Sequence, residues 1–376
     1  MLYPQIFESI RPEIKNILKK ALDSEEISAG EALELLKVTG KEFLALQHVA
    51  DQICLEKTEN IVTFVINRNI NFTNICFQGC KFCSFSVSAT HEDAFQLTIE
   101  DIKERVSEAK DQGCSEVCIQ GGINPELKFD YYVDILKTVK GVDSRIHIHA
   151  FSPQEVFYMT KMNKDSVENT LKELKKAGLG SMPGTAAEIL VDDIRKVICP
   201  NKINVSQWID IITTAHKLDI PTTSTMMYGH IEDLQDQITH LEILRNIQRE
   251  TGGFTEFVPL VFIKEKPILA RLKEFPLKPN YGINDLRLYA TSRIFFNNYI
   301  DNIQCSWVKL GPKLAQVSLN YGVNDFSGTL MEENISKSAG AEYGEYLSPE
   351  EIVNIIKTAG KRPAQRDTVY NIVKYY

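Results

Sequence analysis

No apolar run in this 376-residue chain is long enough to cross a bilayer, which argues against a membrane-spanning helix. Residues 1–5 carry no charged segment leading into an apolar stretch, so no secretory signal is expected. Positive charge is not in excess. The 42 Lys and Arg are outnumbered by 50 Asp and Glu, leaving a formal charge of −8. A mildly acidic chain is ill suited to non-specific binding of nucleic acid. Low-complexity segments and short-period repeats are both missing. Cysteine is scarce, with eight residues too unevenly spaced for a secreted disulfide framework, so reduced thiols and a cytoplasmic protein are expected. With 43% apolar and 24% charged residues the composition is that of an ordinary globular protein.

What the chain does have is Cys76-Phe77-Gln78-Gly79-Cys80-Lys81-Phe82-Cys83, three thiols at C-x3-C-x2-C spacing. A closed structural zinc site takes four ligands, and so does a ferredoxin-type cluster. Three thiolates can hold three irons of a 4Fe–4S cluster and leave the fourth iron open to an outside ligand. The competing reading is three unrelated buried or zinc-binding cysteines. Cys54, Cys114, Cys118, Cys199 and Cys305 are scattered, so no auxiliary cluster is expected. Gly79 suits a tight turn around the cluster, and Asn71, Thr73 and Asn74 suit a loop folded by side-chain to backbone hydrogen bonds.

Helical patterns fill residues 7–57, with Ser24 as the expected start of one helix. Residues 61–67 then read as a buried strand running directly into the cysteine loop. Further strands are expected at 116–120, 146–151, 179–181, 222–227, 255–260, 303–307 and 316–319, separated by helical stretches. Eight strands with helical crossovers predict an α/β fold, a (β/α)8 TIM-type barrel over residues 58–345. It would carry an N-terminal helical extension, residues 1–57, and a C-terminal helical tail, residues 346–376, opened by Ser348-Pro349-Glu350-Glu351. In such a barrel the chemistry sits at the C-terminal ends of the strands, and the unusual motifs here all follow expected strands.

Gly121-Gly122 follows the second strand. Glu188, after the fourth, is a carboxylate able to accept two ribose hydroxyls, and Arg195, two helical turns on, is placed for a carboxylate partner. The competing reading of that pair is a solvated helix face. Residues 222–232 offer hydroxyls, a glycine and His230 at a strand end, the makings of a small-molecule pocket, although His230 also fits a core position. His147 and His149 share one strand face and are candidates for substrate contact or proton relay. Ser152, Asn324 and Asp325 are further substrate candidates by position.

The cysteine loop resembles that of the radical S-adenosylmethionine superfamily. Residues 69–85, 148–153, 181–190, 222–230 and 328–335 together resemble the second-subunit family of FO synthase, the CofH type. The likeness covers roughly residues 40–362. It implies that Cys76, Cys80 and Cys83 hold one 4Fe–4S cluster, with S-adenosylmethionine on the open iron. Phe82, Gly121, Gly122, Glu188, Arg195, Thr225 and Met227 would line the cofactor, and His149 and His230 would serve the reaction. The superfamily usually has an acidic residue after the Gly-Gly pair, where this chain has Ile123. The resemblance further implies cleavage of the Cα–Cβ bond of L-tyrosine and transfer of its 4-hydroxybenzyl group to 5-amino-6-(D-ribitylamino)uracil in deazaflavin (coenzyme F-420) biosynthesis. An external electron donor and a companion radical enzyme, FO synthase subunit 1, are the implied partners. Two alternatives remain open from the sequence: a menaquinone-pathway relative, and a non-enzymatic iron–sulfur or zinc module.

Overall fold

The structure, a computed structural model, describes residues 7–376; the expectation made on residues 1–5 lies outside the described residues. Three helices open it: α1 (Pro12–Leu22), α2 (Ala29–Leu35) and α3 (Gly40–Thr58). The start of α2 is capped by Ser28, not Ser24. Ser28 accepts the Glu31 N–H while Glu31 reaches back to the Ser28 N–H, a closed capping box. Ser24 lies outside any helix, at φ +58°.

The strand expected over 61–67 breaks at Ile66 into β1 (Ile61–Val65) and β2 (Asn67–Asn71). β2 was missed because Asn-Arg-Asn-Ile-Asn has a poor strand composition. Its polar side chains are used inward: Asn67 Nδ2 donates to Glu116 Oε1 at 2.9 Å, and Arg68 bonds the Arg105 carbonyl at 3.1 Å. Alternation follows through α4 (Ile99–Asp111), β3 (Glu116–Gln120), α5 (Phe129–Val142), β4 (His147–Ala150), α6 (Pro153–Asn163), α7 (Val167–Ala177), α8 (Asp192–Ile198), α9 (Val205–Lys217), β5 (Thr222–Tyr228), α10 (Leu234–Thr251) and β6 (Phe254–Val261). Then come α11 (Gly282–Phe295), α12 (Trp307–Leu310), α13 (Pro312–Ser318), β7 (Asp325–Gly328), α14 (Asn334–Ala339), α15 (Pro349–Thr358), β8 (Arg362–Arg366) and β9 (Ile372–Tyr375).

Three expected strands are corrected. Residues 303–307 make only single bridges at Ile303 and Gln304, and Trp307 already opens helix α12. Residues 316–319 belong to the end of helix α13, where Ala315, Ser318 and Leu319 are buried at helical spacing and Pro312 stands in the first turn. Residues 179–181 are mostly the exit from α7, ended by Gly178 at φ +119°, and only Ser181 and Met182 pair. The tail beyond residue 346 is helical only through Thr358; it then returns as strands β8 and β9.

The strands form three sheets, β7-β1-β8-β9, β2-β3-β4 and β5-β6, parallel except for β8 against β9. Single parallel bridges stand in the gaps: His149 to Ser181, Met182 to Thr222, Phe257 to Ile303, Gln304 to Asp325 and Arg68 to Met331. β5 is buried at all seven positions, as expected of a parallel strand covered on both faces. The N-terminal helices dock on α10 and α11. There Arg245 stacks 3.7 Å over the Phe295 ring and donates to the Ile27 carbonyl at 2.7 Å.

β8 lies beside β1 and sends Arg366 inward. Its guanidinium meets Asp325 at 2.5 and 3.1 Å and stands 3.7 Å from Glu256. Asp325 also accepts from Thr63 Oγ1 at 2.6 Å and the Ser327 N–H at 2.8 Å. Burial pushes the Glu256 carboxyl up to about 7, against the pull of Arg366. Removing one partner of such a pair leaves an uncompensated buried charge. Arg366→Met is therefore expected to lose about 3–5 kcal/mol of stability in chemical denaturation at neutral pH. An orphaned buried carboxylate binds a proton more tightly folded than unfolded, so the loss should shrink as pH falls. A loss below about 1 kcal/mol would show that Arg366 does not hold this charge.

Candidate functional site

The chain leaves β2 at Asn71 and folds a long loop whose backbone is held by its own side chains. Thr73 Oγ1 donates to the Phe95 carbonyl at 2.6 Å and accepts the Ile75 N–H at 3.2 Å. Asn74 accepts the Phe95 N–H and donates to the Asp93 carbonyl, both at 2.9 Å. The cysteine turn is tight, with Gly79 at φ +64° and the Cys83 N–H on the Cys80 carbonyl at 3.1 Å. Lys81 N–H anchors the turn to the Ile198 carbonyl at 2.8 Å. Cys76, Cys80 and Cys83 all line one cavity of about 380 Å³. Burial raises the Cys76 thiol and pushes Cys80 up to about 12, with Lys202 pulling the other way. Such thiols are neutral alone; metal charge deprotonates coordinating thiols. Among the described residues no three His, Cys, Asp or Glu side chains converge on one ion-sized point. A cluster needs no such convergence, because each thiolate takes a different iron.

Gly121 and Gly122 form the next wall, just past β3. Neither position has room for a side chain. A Cβ on Gly121 would lie 2.5 Å from the Phe72 ring, and one on Gly122 would lie 2.2 Å from the Ile75 carbonyl oxygen and 3.0 Å from Cys76 Cβ. The Gly121 N–H donates to Glu155 Oε1 at 3.1 Å. Glu155, on the first turn of α6, was not singled out from the sequence. It also accepts the Ser152 N–H and Oγ at 2.7 and 2.6 Å and lines the cavity. Burial pushes its carboxyl up to about 7 despite those donors. The Ser152-x-x-Glu155 capping-box spacing was the signal that could have found it.

Glu188 lines the cavity, but not from a helix: residues 183–191 are irregular, with Ala186 and Glu188 at φ +65° and +46°. Its partner is Lys202 Nζ at 2.6 Å, not Arg195. That lysine also stands 5.4 Å over the Phe82 ring. Burial works against the Lys202 charge, but Glu188 together with Cys80 and Cys199 opposes it, and the ammonium is held above its usual range. Arg195 is corrected: it is buried, does not line the cavity, and ties the Ala187 and Ile203 carbonyls. Thr225 is turned to the Gly184 carbonyl at 3.0 Å and is also off the cavity. Phe82 and Met227 line it, and the Met227 N–H reaches the Glu188 carbonyl at 2.6 Å.

The histidines lie elsewhere. His149 Nδ1 and His147 Nε2 share Ser181 Oγ at 2.7 and 2.8 Å, behind the cavity wall, and burial drops His149 to about 4. His230 is fully buried; its Nε2 lies 3.1 Å from the Met227 carbonyl and its Nδ1 3.1 Å from Glu232. Neither histidine lines the cavity: His149 is held by Ser181, and His230 gives Nε2 to the Met227 carbonyl while its buried Nδ1 makes no hydrogen bond. Asn324 is consumed by Arg293, Ile303 and Asn302, and Asp325 by Arg366; neither lines the cavity. Ser152 does line it, with its hydroxyl given to Glu155. The opposite wall comes from later in the chain and includes Gln304, Lys309, Leu330 and Glu333.

Residues 70–244 match the family model of the Radical SAM superfamily, and residues 251–375 match that of the CofH/MqnC C-terminal region. The Archaeoglobus fulgidus protein named 5-amino-6-(D-ribitylamino)uracil–L-tyrosine 4-hydroxyphenyl transferase is 51% identical over 325 residues, 86% of this chain and 92% of its own length. The Methanothermobacter thermautotrophicus protein of that name is 48% identical over 366 residues, 97% and 99% of the two chains. The fold is similar to that of HydG, a maturase of FeFe-hydrogenase, at TM-score 0.73 and 19% identity, covering 96% of this chain and 78% of that one. It is likewise similar to methylornithine synthase (PylB), at TM-score 0.73 and 16% identity, covering 93% and 97%. This chain belongs to the radical S-adenosylmethionine superfamily and, within it, to the family of 5-amino-6-(D-ribitylamino)uracil–L-tyrosine 4-hydroxyphenyl transferases.

Proposed function

We propose that this enzyme cleaves the Cα–Cβ bond of L-tyrosine and transfers the 4-hydroxybenzyl group to 5-amino-6-(D-ribitylamino)uracil, with 2-iminoacetate, methionine and 5′-deoxyadenosine as the other products. The observation that carries this reading is identity of about half over nearly the whole chain to proteins of that name. When bound, a 4Fe–4S cluster and S-adenosylmethionine supply the 5′-deoxyadenosyl radical that takes hydrogen from tyrosine.

The residues present fit those groups. Cys76, Cys80 and Cys83 would hold three irons. Glu155 supplies, from α6, the carboxylate that Gly121-Gly122-Ile123 lacks, beside the turn where the methionine ammonium would sit. Glu188 and Lys202 would meet the ribose and the methionine carboxylate in place of Glu188 and Arg195. Phe82 and Met227 cover the nucleoside. The protein's share is orientation and exclusion of water, since the radical chemistry belongs to the cofactor. The single bridges between the three sheets support a distorted (β/α)8 barrel, with residues 58–345 as its main body and the β8–β9 hairpin laid against β1. No helix among the described residues is long and apolar enough to cross a membrane. Eight free cysteines suit a reducing cytoplasm. An external electron donor and a companion radical subunit are part of the reading.

Reduced, anaerobically reconstituted enzyme should form 5′-deoxyadenosine and the coupled product only when tyrosine and the ribitylaminouracil are both present, read by mass spectrometry. Turnover confined to a futalosine-type substrate would overturn the assignment. Wild-type protein should carry about four irons and four sulfides per chain, and Cys80→Ala should lose them while keeping its circular dichroism. Gly122→Ala should also lose iron, because the added methyl meets the Ile75 carbonyl and Cys76; full iron content there would refute that contact's role.

A further inference from the structure

The two walls of the cavity treat charge differently. On the wall built by residues 121–227, Glu188 and Lys202 neutralise each other at 2.6 Å. On the wall built by residues 304–339, Lys309 and Glu333 line the same cavity but make no ion pair with each other within 4.0 Å. Lys309 gives its backbone N–H to the Ser306 carbonyl, and its ammonium makes no ion pair within 4.0 Å among the described residues. Burial lowers the Lys309 ammonium, with Glu333 opposing, and burial raises the Glu333 carboxyl, with Lys309 opposing. Glu333 is fixed in place by the Ser336 N–H at 2.8 Å. Taking a charge out of water without a partner costs several kcal/mol. An ammonium with no ion pair, lining one cavity with a carboxylate that spends one oxygen on capping a helix, calls for a ligand carrying both complements.

That ligand chemistry is an α-amino-acid head group, a carboxylate and an ammonium on one carbon. We propose that Lys309 receives the α-carboxylate and Glu333 the α-ammonium of the amino-acid substrate, which holds its side chain toward the cysteine loop. The inference rests on the tyrosine-cleaving reading above. Its place in the chain supports substrate over cofactor: the cysteines, Gly121-Gly122, Glu155, Glu188 and Lys202 all fall in residues 70–244, the part shared across the superfamily, whereas Lys309 and Glu333 fall in residues 251–375, matched by the narrower region. Lys309 also borders a second cavity of about 560 Å³, so the head group would sit where the inner space meets an outer one.

The test is equilibrium binding to anaerobically reconstituted holoenzyme, with three probes: L-tyrosine, tyramine, which lacks the carboxylate, and 3-(4-hydroxyphenyl)propanoate, which lacks the amine. Lys309→Met should weaken L-tyrosine roughly ten- to hundred-fold and leave tyramine unchanged. Glu333→Gln should weaken L-tyrosine similarly and leave the propanoate unchanged. S-adenosylmethionine affinity should stay as in wild type in both. Should a variant misfold, the wild-type ranking alone decides: both truncated probes must bind at least about tenfold more weakly than L-tyrosine. Loss of S-adenosylmethionine affinity with tyrosine binding retained, or equal loss for tyrosine and tyramine in Lys309→Met, would overturn the site. Wild-type enzyme that does not bind L-tyrosine at all would sink the substrate reading along with it, whereas tight tyrosine binding by both variants would sink the site alone.

Discussion

The close approach of Gly122 to the cysteine loop fixes where everything else in the cavity can stand. With no side chain at 122, the turn after β3 comes close against the Ile75 carbonyl and Cys76, and Gly122 N–H bonds the Thr73 carbonyl at 2.8 Å. One residue earlier, Gly121 lies flat on the Phe72 ring, itself edge-on to Tyr132 and Phe151. The loop that bears the thiols is thus supported from below by an aromatic cluster of the core. Interiors packed to this density do not absorb an added methyl without moving something. Here the nearest things to move are a loop carbonyl and a cysteine.

Burial of charge is the second constraint, and it divides the interior. Beneath the cavity, Arg366 serves two carboxylates, and Tyr370 and Gln304 complete the bonding of Glu256. This explains why the chain returns after α15 to lay β8 beside β1: without Arg366, Asp325 and Glu256 would face each other unpaired. Gln304 belongs to that network and also lines the cavity. The floor of the site and the tail of the chain are therefore mechanically one unit.

The sequence was most legible where one residue type carries the meaning. C-x3-C-x2-C marked a loop of three thiols, and the Gly-Gly pair stood out by its place after a strand. Strands at 116–120 and 222–227 announced themselves by β-branched and apolar composition, the second running one residue further to Tyr228. β2 stayed hidden because its asparagines and arginine are buried by partners that lie 37 to 264 residues away in the chain. Glu188 and Arg195 looked like neighbours only on the assumption of a helix; two left-handed residues break that geometry, and Lys202, with no motif of its own, takes the place instead. His149 and His230 were attractive for their chemistry, yet each is spent on a hydroxyl or a carbonyl. Their depressed pKa follows from burial, which keeps them neutral near pH 7 and unsuited to hold a proton there.

At Glu155 a carboxylate reaches the Gly-Gly turn from the neighbouring helix. In a Gly-Gly-acid turn the carboxylate comes from the turn itself. Here Ile123 occupies that position and is buried, so the turn carries no charge. The carboxylate arrives through the capping box of the next helix, whose Ser152 and Glu155 close on each other and on Gly121. Helix α6 is thereby locked to the turn by the same residue that faces the cavity. A carboxyl whose burial sets it near 7 stays poised between charged and neutral until a cation arrives beside it. An incoming ammonium would settle it as the carboxylate, since an adjacent positive charge favours the ionised form. An ionised Glu155 would in turn accept a stronger hydrogen bond from the Gly121 N–H, which holds the turn beside the thiol loop.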